Sequence, residues 1–140
     1  MKYMILTYGS QQDYDGLAGR SAPGAPAWTP AEFKALGEFM TEFNAELAES
    51  GELVETRGLS APVHTRRLRL EKGVPVVTDG PYAETQEVLA GYWIVDCASF
   101  DRATEIAARL TRIPGPAHLR ERAEAIDVRP IADSRAELDG

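Results

Sequence analysis

Two kinds of hydrophobic pattern divide the chain into predicted strands and helices. Runs rich in β-branched and aromatic residues, several of them alternating apolar with polar, predict strands. Apolar residues spaced three and four apart predict two amphipathic helices, one from Phe33 to Leu47 and one from Phe100 to Ile113. The strands fall at 2–8, 52–57, 63–70, 74–78, 89–97 and 126–131. This order predicts an α+β fold, a ferredoxin-like split βαβ unit with an inserted β-hairpin.

The helix ends carry clear signals. Thr29-Pro30-Ala31-Glu32 combines a threonine cap, proline at the first helical position and glutamate three residues after the cap. Gly51 supplies the residue type that commonly ends a helix. Ser99 caps the second helix, and Pro114-Gly115-Pro116 ends it. We therefore predict helices bounded by these residues.

The 140 residues favour one domain, which we place at 1–131. Residues 10–29 are rich in glycine and proline, so we predict a long loop that is either functional or mobile. Residues 132–140 are small and charged and are predicted to fray.

The predicted strand 89–97 is apolar almost throughout, which is typical of a strand buried on both faces. A ferredoxin-like sheet has helices on one face only. A second subunit packed sheet to sheet would cover the other face, so we predict a homodimer.

Charge and composition exclude several classes of partner. A formal net charge of −7 argues against nucleic acid. The single cysteine, Cys97, excludes an internal disulfide framework and fits a reducing cytoplasm. No apolar run approaches the roughly 20 residues that span a bilayer, and the first residues indicate a strand and no signal peptide. We expect a cytoplasmic protein without a membrane partner.

A stiff turn after the fourth predicted strand carries the densest group of reactive side chains. Gly80 and Pro81 fix the backbone there, next to Asp79, Tyr82 and Glu84. Asp79 is either a general acid or base in a site or an acceptor for backbone N–H groups of its own turn. Tyr82 and Glu84 are candidate ligand-binding residues beside it.

Neither histidine has neighbours at metal-ligand spacing, so no metal site is predicted. His64 is expected to be a surface or hydrogen-bonded residue. His118 precedes the last strand and is the better catalytic candidate, with a structural role as its alternative. No phosphate-binding loop or nucleophile elbow is present, and we predict no cofactor.

Aromatic and cationic side chains on three strands suggest a ligand surface. Tyr8, Tyr92 and Trp93 either belong to the core or line a flat, mostly apolar cavity for a small aromatic or carbonyl ligand. Arg129 is a candidate for binding a ligand carboxylate, and its alternative role is an exposed ion pair.

Four segments, in order, resemble the YCII-related family in its DGPF-domain branch. They are 1–6, the central Thr78-Asp79-Gly80-Pro81-Tyr82-Ala83-Glu84-Thr85, Gly91-Tyr92-Trp93-Ile94-Val95-Asp96 and 127–131. The resemblance implies a dimeric α/β barrel of ferredoxin-like subunits, with a pocket between sheet and helices. It implies little about function, although relatives encoded beside extracytoplasmic-function sigma factors suggest a regulatory role.

Two departures from the family pattern matter. Tyr82 replaces the phenylalanine that names the motif, and its hydroxyl needs a partner if buried. Some relatives carry a catalytic His–Asp pair with the histidine on the first helix, but the first predicted helix here, residues 30–50, contains no histidine.

Three functions therefore remain open from the sequence. The favoured one is a small-molecule binding or sensing protein without catalysis. The second is a cofactor-free lyase, isomerase or monooxygenase that uses Asp79 and His118 on a small organic substrate. The third is a module that binds a regulatory protein partner.

Overall fold

A computed structural model of the chain describes residues 1–80, 85–121 and 125–139. The predicted Tyr82 and Glu84 therefore lie outside the described residues. In chain order the elements are β1 (Lys2–Gly9), α1 (Gln11–Leu17), α2 (Pro30–Ser50), β2 (Leu53–Gly58), a 3-10 turn (Pro62–His64), β3 (Arg66–Glu71), β4 (Val74–Asp79), β5 (Val88–Asp96), α3 (Phe100–Leu110), α4 (Ala117–Glu121), β6 (Asp127–Pro130) and α5 (Arg135–Asp139). The predicted α+β class is confirmed.

Four strands form the main sheet in the order β2-β5-β1-β6, and every neighbouring pair is antiparallel. The two strands with the strongest hydrophobic patterns, β1 and β5, occupy the centre, where Ile5 lies opposite Trp93. The register of this pair shifts between Thr7 and Tyr8. The strands β3 and β4 form a separate two-stranded hairpin, with Arg66 opposite Asp79 at its open end.

Helices α2 and α3 pack on one face of the main sheet, and the hydrophobic core lies between that face and the two helices. The ring of Phe43 meets the ring of Trp93 edge to face, with centroids 5.7 Å apart. The buried cluster joins one face of β1 and β5 to the apolar stripes of both helices: Tyr3, Ile5, Phe43, Leu47, Trp93, Val95, Cys97, Ala103, Ile106, Ala107 and Leu110. The helical stripes therefore serve as core faces except at their first residues, since Phe33 is 55% and Phe100 45% exposed. Cys97 is buried in the same cluster.

Three of the four predicted helix ends are confirmed, whereas α3 ends at Leu110, ahead of the predicted stop at Pro114-Gly115-Pro116. The Thr29 hydroxyl accepts a hydrogen bond from the Glu32 amide, and the Glu32 carboxylate accepts one from the Thr29 amide. Gly51 follows the last turn of α2 with φ of 79°, a left-handed conformation that favours glycine. Ser99 caps α3 through the amide of Arg102.

The segment predicted as a long loop contains a helix, so that prediction is wrong for Gln11–Leu17. A second capping box begins α1: the Ser10 hydroxyl accepts from the Asp13 amide, and the Asp13 carboxylate accepts from the Ser10 amide. Trp28 then packs against Gly16 and Gly115, which ties the end of the segment to the connection after α3.

The structure also differs from the predictions at the start of β3 and near the C-terminus. The predicted strand 63–70 begins only at Arg66, because Pro62 opens a 3-10 turn ahead of it. Arg66 is the first residue of β3, so the strand end accounts for its place on the leucine face of the hairpin. Within the predicted tail, Arg135–Asp139 form the short helix α5.

Candidate functional site

The face of the main sheet that points away from α2 and α3 carries a patch of aromatic and aliphatic side chains. Alternation along β1 and β5 sends Ile5 and Trp93 into the core and their neighbours to the opposite side. Leu6 is 8% exposed there, while the other apolar members are half-buried. We call this surface the open face; its floor is formed by Met4, Leu6, Tyr8, Tyr92 and Ile94.

Charged side chains from the two edge strands border the open face. One cross-strand row runs from Glu55 through Ile94 and Met4 to Arg129. The next row runs from Arg57 through Tyr92 and Leu6 to Asp127. Each edge thus presents one carboxylate and one guanidinium, two residues apart on the same strand, to an apolar centre.

Each tyrosine of the floor donates a hydrogen bond to a carboxylate of the nearer edge strand. The Tyr8 hydroxyl lies 2.6 Å from Oδ2 of Asp127, and the Tyr92 hydroxyl lies 3.0 Å from Oε2 of Glu55. These hydrogen bonds raise the pKa of both phenols, since they stabilise the protonated form, and desolvation adds to the effect. Both tyrosines are therefore neutral donors at physiological pH.

The two guanidinium groups differ in how they are engaged. Arg57 contacts Oε1 of Glu55 at 3.8 Å and donates to the carbonyl of Thr56 at 3.0 Å. Arg129 is exposed, and within the described ranges no hydrogen bond or ion pair engages it. Its charge acts on Tyr8, where it partly offsets the pKa increase caused by Asp127. Arg129 is thus a cation beside an apolar floor, with its donors available.

Trp93 lies on the other side of the sheet from Tyr8 and Tyr92. It is 6% exposed, and its indole N–H donates to Oδ1 of Asn44 on α2 at 2.8 Å. The packed core occupies the space between sheet and helices, where the resemblance implied a pocket. Of the four described residues predicted to bind ligand, Tyr8, Tyr92 and Arg129 share the open face and Trp93 does not.

The two predicted catalytic residues lie on separate elements, and no hydrogen bond joins them in the described structure. Asp79 ends β4, is exposed and faces Arg66 across the hairpin; its carboxylate has no hydrogen-bond partner among the described residues. His118 lies on α4, with a buried Nδ1 that has no partner there either. His64 is exposed in the 3-10 turn.

Glu55 and Asp127, the carboxylates that hold the two phenols, were not predicted as site residues. Each lies two residues before an arginine on its strand, so alternation alone puts the pair on one face. Their tyrosine partners are 37 and 119 residues away in the chain. Identifying those partners requires the register of the strand pairs, which the hydrophobic pattern does not contain.

The described residues hold no group of three or more His, Cys, Asp or Glu placed to bind a metal ion. None of the described helices combines the length and the hydropathy needed to cross a membrane. Two surface depressions lie away from the open face, one along α2 at Gly37 and Thr41 and one of about 260 Å³ between Leu17, Trp28 and Phe33.

Comparison with known proteins identifies the family. The family model for the YCII-related domain matches residues 1–124. An uncharacterized protein of Rhizobium meliloti (strain 1021) is 30% identical over 106 residues, which cover 76% of this chain and 81% of the relative. The family-model match spans β1 to α4 and so includes both central strands of the main sheet. The chain belongs to the YCII-related family.

Proposed function

We propose that this chain is a small-molecule binding or sensing protein and that its ligand lies on the open face. The observation that carries the proposal is the position of an available guanidinium, Arg129, at the border of an apolar floor. Flat, mostly apolar surfaces with a few oriented polar groups are typical of small-ligand sites. The phenols of Tyr8 and Tyr92 are held in place by carboxylates, so the floor is ordered before a ligand arrives.

The chemistry of the open face favours a small aromatic acid. An aromatic ring would cover Leu6 and the ring of Tyr92, and its burial supplies the apolar part of the binding energy. The carboxylate would accept hydrogen bonds from Arg129, whose planar guanidinium suits a carboxylate. Asp127 lies on the same edge strand and disfavours a second anionic group, so a monoanion is preferred.

A homodimer would complete the site. The order β2-β5-β1-β6, in which α2 connects β1 to β2 and α3 connects β5 to β6, supports a ferredoxin-like subunit of the DGPF branch. Half-buried Met4, Tyr92 and Ile94 leave apolar surface that a second subunit would cover, as in a dimeric α/β barrel. The ligand would then lie between the two subunits. Light scattering should give the mass of a dimer at low micromolar concentration.

Binding is favoured over cofactor-free catalysis by the positions of Asp79 and His118. A general acid or base must come within hydrogen-bond reach of the reacting group. Asp79 lies on the exposed hairpin and His118 on α4, and nothing in the described residues connects either one to the open face.

The experiment measures binding of 1-naphthoate by calorimetry to the wild type and to three variants. Arg129→Gln should weaken binding by about 1.5–3 kcal/mol, the range for a hydrogen bond to a charged group. Tyr92→Ala should also weaken binding, because it removes one of the two aromatic rings of the floor. Arg112→Gln, which replaces an exposed arginine after α3, is the matched control and should bind as the wild type does. Equal affinity in the wild type and Arg129→Gln would contradict the proposal.

A further inference from the structure

The β3–β4 hairpin, Arg66–Asp79, is an arm with little cover from its own subunit. Its four large aliphatic side chains with the greatest exposure are each more than half accessible: Leu68 66%, Leu70 73%, Val74 59% and Val77 56%. A two-stranded hairpin without a packed face is only marginally stable in water. The arm therefore gains most of its stability from whatever covers it.

The arm presents one apolar face with a defined register. Leu68 lies directly opposite Val77, and Leu70 lies directly opposite Pro75, so these four side chains project from the same side. Arg66 and Asp79 form the next pair along that face, at the base of the arm. The result is an exposed apolar strip with a charged pair at one end.

We propose that the arm of one subunit docks through this apolar face onto a second copy of the chain, over the open face of its main sheet. This proposal rests on the proposed function, which places the ligand on the open face, and it identifies the arm of the other subunit as the element that covers that ligand. The site on each subunit would then be completed by Leu68, Leu70 and Val77 of the other copy.

Charge favours a second copy as the occupant. Residues 66–79 contain four basic and two acidic side chains, a net charge of +2, while the remainder of the chain carries −9. A basic arm on an acidic protein is attracted to another copy of that protein, which guides the encounter of the two subunits.

The dimensions of the two surfaces agree. Six residues per strand give the arm a length of about 20 Å, and the outer strands of a four-stranded sheet lie about 14 Å apart. The arm is therefore long enough to cross the sheet between its charged borders. Both surfaces are apolar in the centre, so docking removes two exposed apolar patches together.

The segment that leads into the arm is fixed to its own subunit by α1. The Gln11 side chain accepts a hydrogen bond from the Val63 amide at 2.9 Å, and the Tyr14 hydroxyl donates to the Leu59 carbonyl at 2.8 Å. Burial raises the pKa of Tyr14, so this phenol stays a neutral donor at physiological pH. The arm thus leaves the subunit from an anchored base, which limits the directions in which it can extend.

A photocrosslinking experiment tests where the arm lies. The photoreactive residue p-benzoyl-phenylalanine replaces Leu70 in full-length protein of natural isotope content. This variant is mixed with nitrogen-15-labelled wild-type protein, which lacks the photoreactive residue, and the mixture is irradiated. We expect crosslinked dimers in which the captured peptide is nitrogen-15 labelled and comes from β1 or β5. The same residue at Leu138, which is 76% exposed in α5, is the control and should give no such product. Capture within one chain, arm to arm, on another surface of the partner, or not at all would overturn the proposal.

A second variant measures the contribution of the apolar face. Leu68→Asp combined with Val77→Asp should raise the dissociation constant of the dimer at least about tenfold, while Leu138→Asp leaves it unchanged. An unchanged constant in the arm variant would also overturn the proposal. Binding of 1-naphthoate that depends on Arg129 would still support the proposed function in that case, so the two ideas fail separately.

Discussion

The hydroxyl of Tyr8 donates a hydrogen bond of 2.6 Å to Oδ2 of Asp127 and so connects a central strand of the main sheet to its edge strand. Tyr92 and Glu55 repeat the arrangement at the opposite edge. In both cases a phenol on the open face is held by a carboxylate that lies two residues before an arginine. The open face therefore has fixed aromatic rings and a fixed order of charges before any ligand or partner binds.

The Tyr8–Asp127 pair predicts a change in stability at high pH. Asp127 raises the pKa of Tyr8 above its ordinary value of 10.0, so the stabilisation is fully present below pH 10 and is lost as the pH rises through the higher folded pKa. Tyr8→Phe should cost at most about 0.5 kcal/mol at pH 7, because the pair is exposed and screened by water. Urea unfolding should show the difference between wild type and Tyr8→Phe disappearing at strongly alkaline pH.

Asp127→Asn gives an independent measure of the same pair. Without the carboxylate, the pKa of Tyr8 should fall toward its ordinary value, and an ultraviolet titration of tyrosinate should lose part of its most alkaline component. A titration identical to that of the wild type would show that the hydrogen bond does not form in solution.

Glu52 and Arg102 form the ion pair with the best geometry among those described, joining the start of β2 to the first turn of α3. Nε and Nη2 of Arg102 donate to the two carboxylate oxygens of Glu52 at 2.9 Å each. Glu52→Gln should lower the free energy of unfolding by about 1 kcal/mol at pH 7, a value reduced by the 41% exposure of Arg102. Glu105→Gln, at a more exposed partner of the same arginine, should cost less.

The pH dependence of the Glu52 effect has a defined sign. Arg102 lowers the pKa of Glu52 below its ordinary value of 4.5, so the stabilisation is present above that pH and is lost as the pH falls through the lower folded pKa. Chemical unfolding of the wild type and Glu52→Gln should converge in acid below about pH 4.5. A difference that persists at pH 2 would contradict this assignment.

The packing of Trp28 against Gly115 predicts that a side chain at position 115 destabilises the protein. A Cβ at Gly115 would lie 2.9 Å from one carbon of the Trp28 indole and 3.2 Å from another, too close without movement of the ring. Gly115→Ala should therefore destabilise the protein by about 1–3 kcal/mol, the range for overpacking. Unfolding followed by tryptophan fluorescence measures it.

Gly37 is the matched control for that substitution. It lies within α2, is exposed, and a Cβ there would meet nothing within 4 Å. Gly37→Ala should stabilise the protein by up to about 1 kcal/mol, since alanine favours a helix over glycine. Equal effects of the two substitutions would contradict the packing of Trp28 against Gly115.

Helix ends are predictable from the sequence where neighbouring residues alone provide the capping interactions. Thr29, Glu32 and Gly51 define α2 because capping depends only on neighbouring residues. Ser10 and Asp13 form the same kind of capping box, but the glycines and prolines that follow it indicate a loop. The helix is short, and its capping outweighs the composition of the segment.

The candidate site was only partly predictable from the sequence. Tyr92 and Trp93 are adjacent in a strand, so alternation already separates them onto opposite faces. Placing Tyr8 beside Asp127 requires that β6 pairs with β1. Tyr8 also lies just after a shift in the register between β1 and β5, at Thr7 and Tyr8. Such long-range pairings leave no local signal, which is why the edge carboxylates emerged only from the structure.

The position of the ligand on the open face is tested most directly by titrating nitrogen-15-labelled protein with 1-naphthoate and following the amide chemical shifts. We expect the largest shifts in β1 and β5, around Leu6 and Tyr92, and at Arg129 on the edge strand. Shifts confined to the α2 depression at Gly37 and Thr41, or to the one beside Trp28, would place the ligand elsewhere and contradict the proposed function.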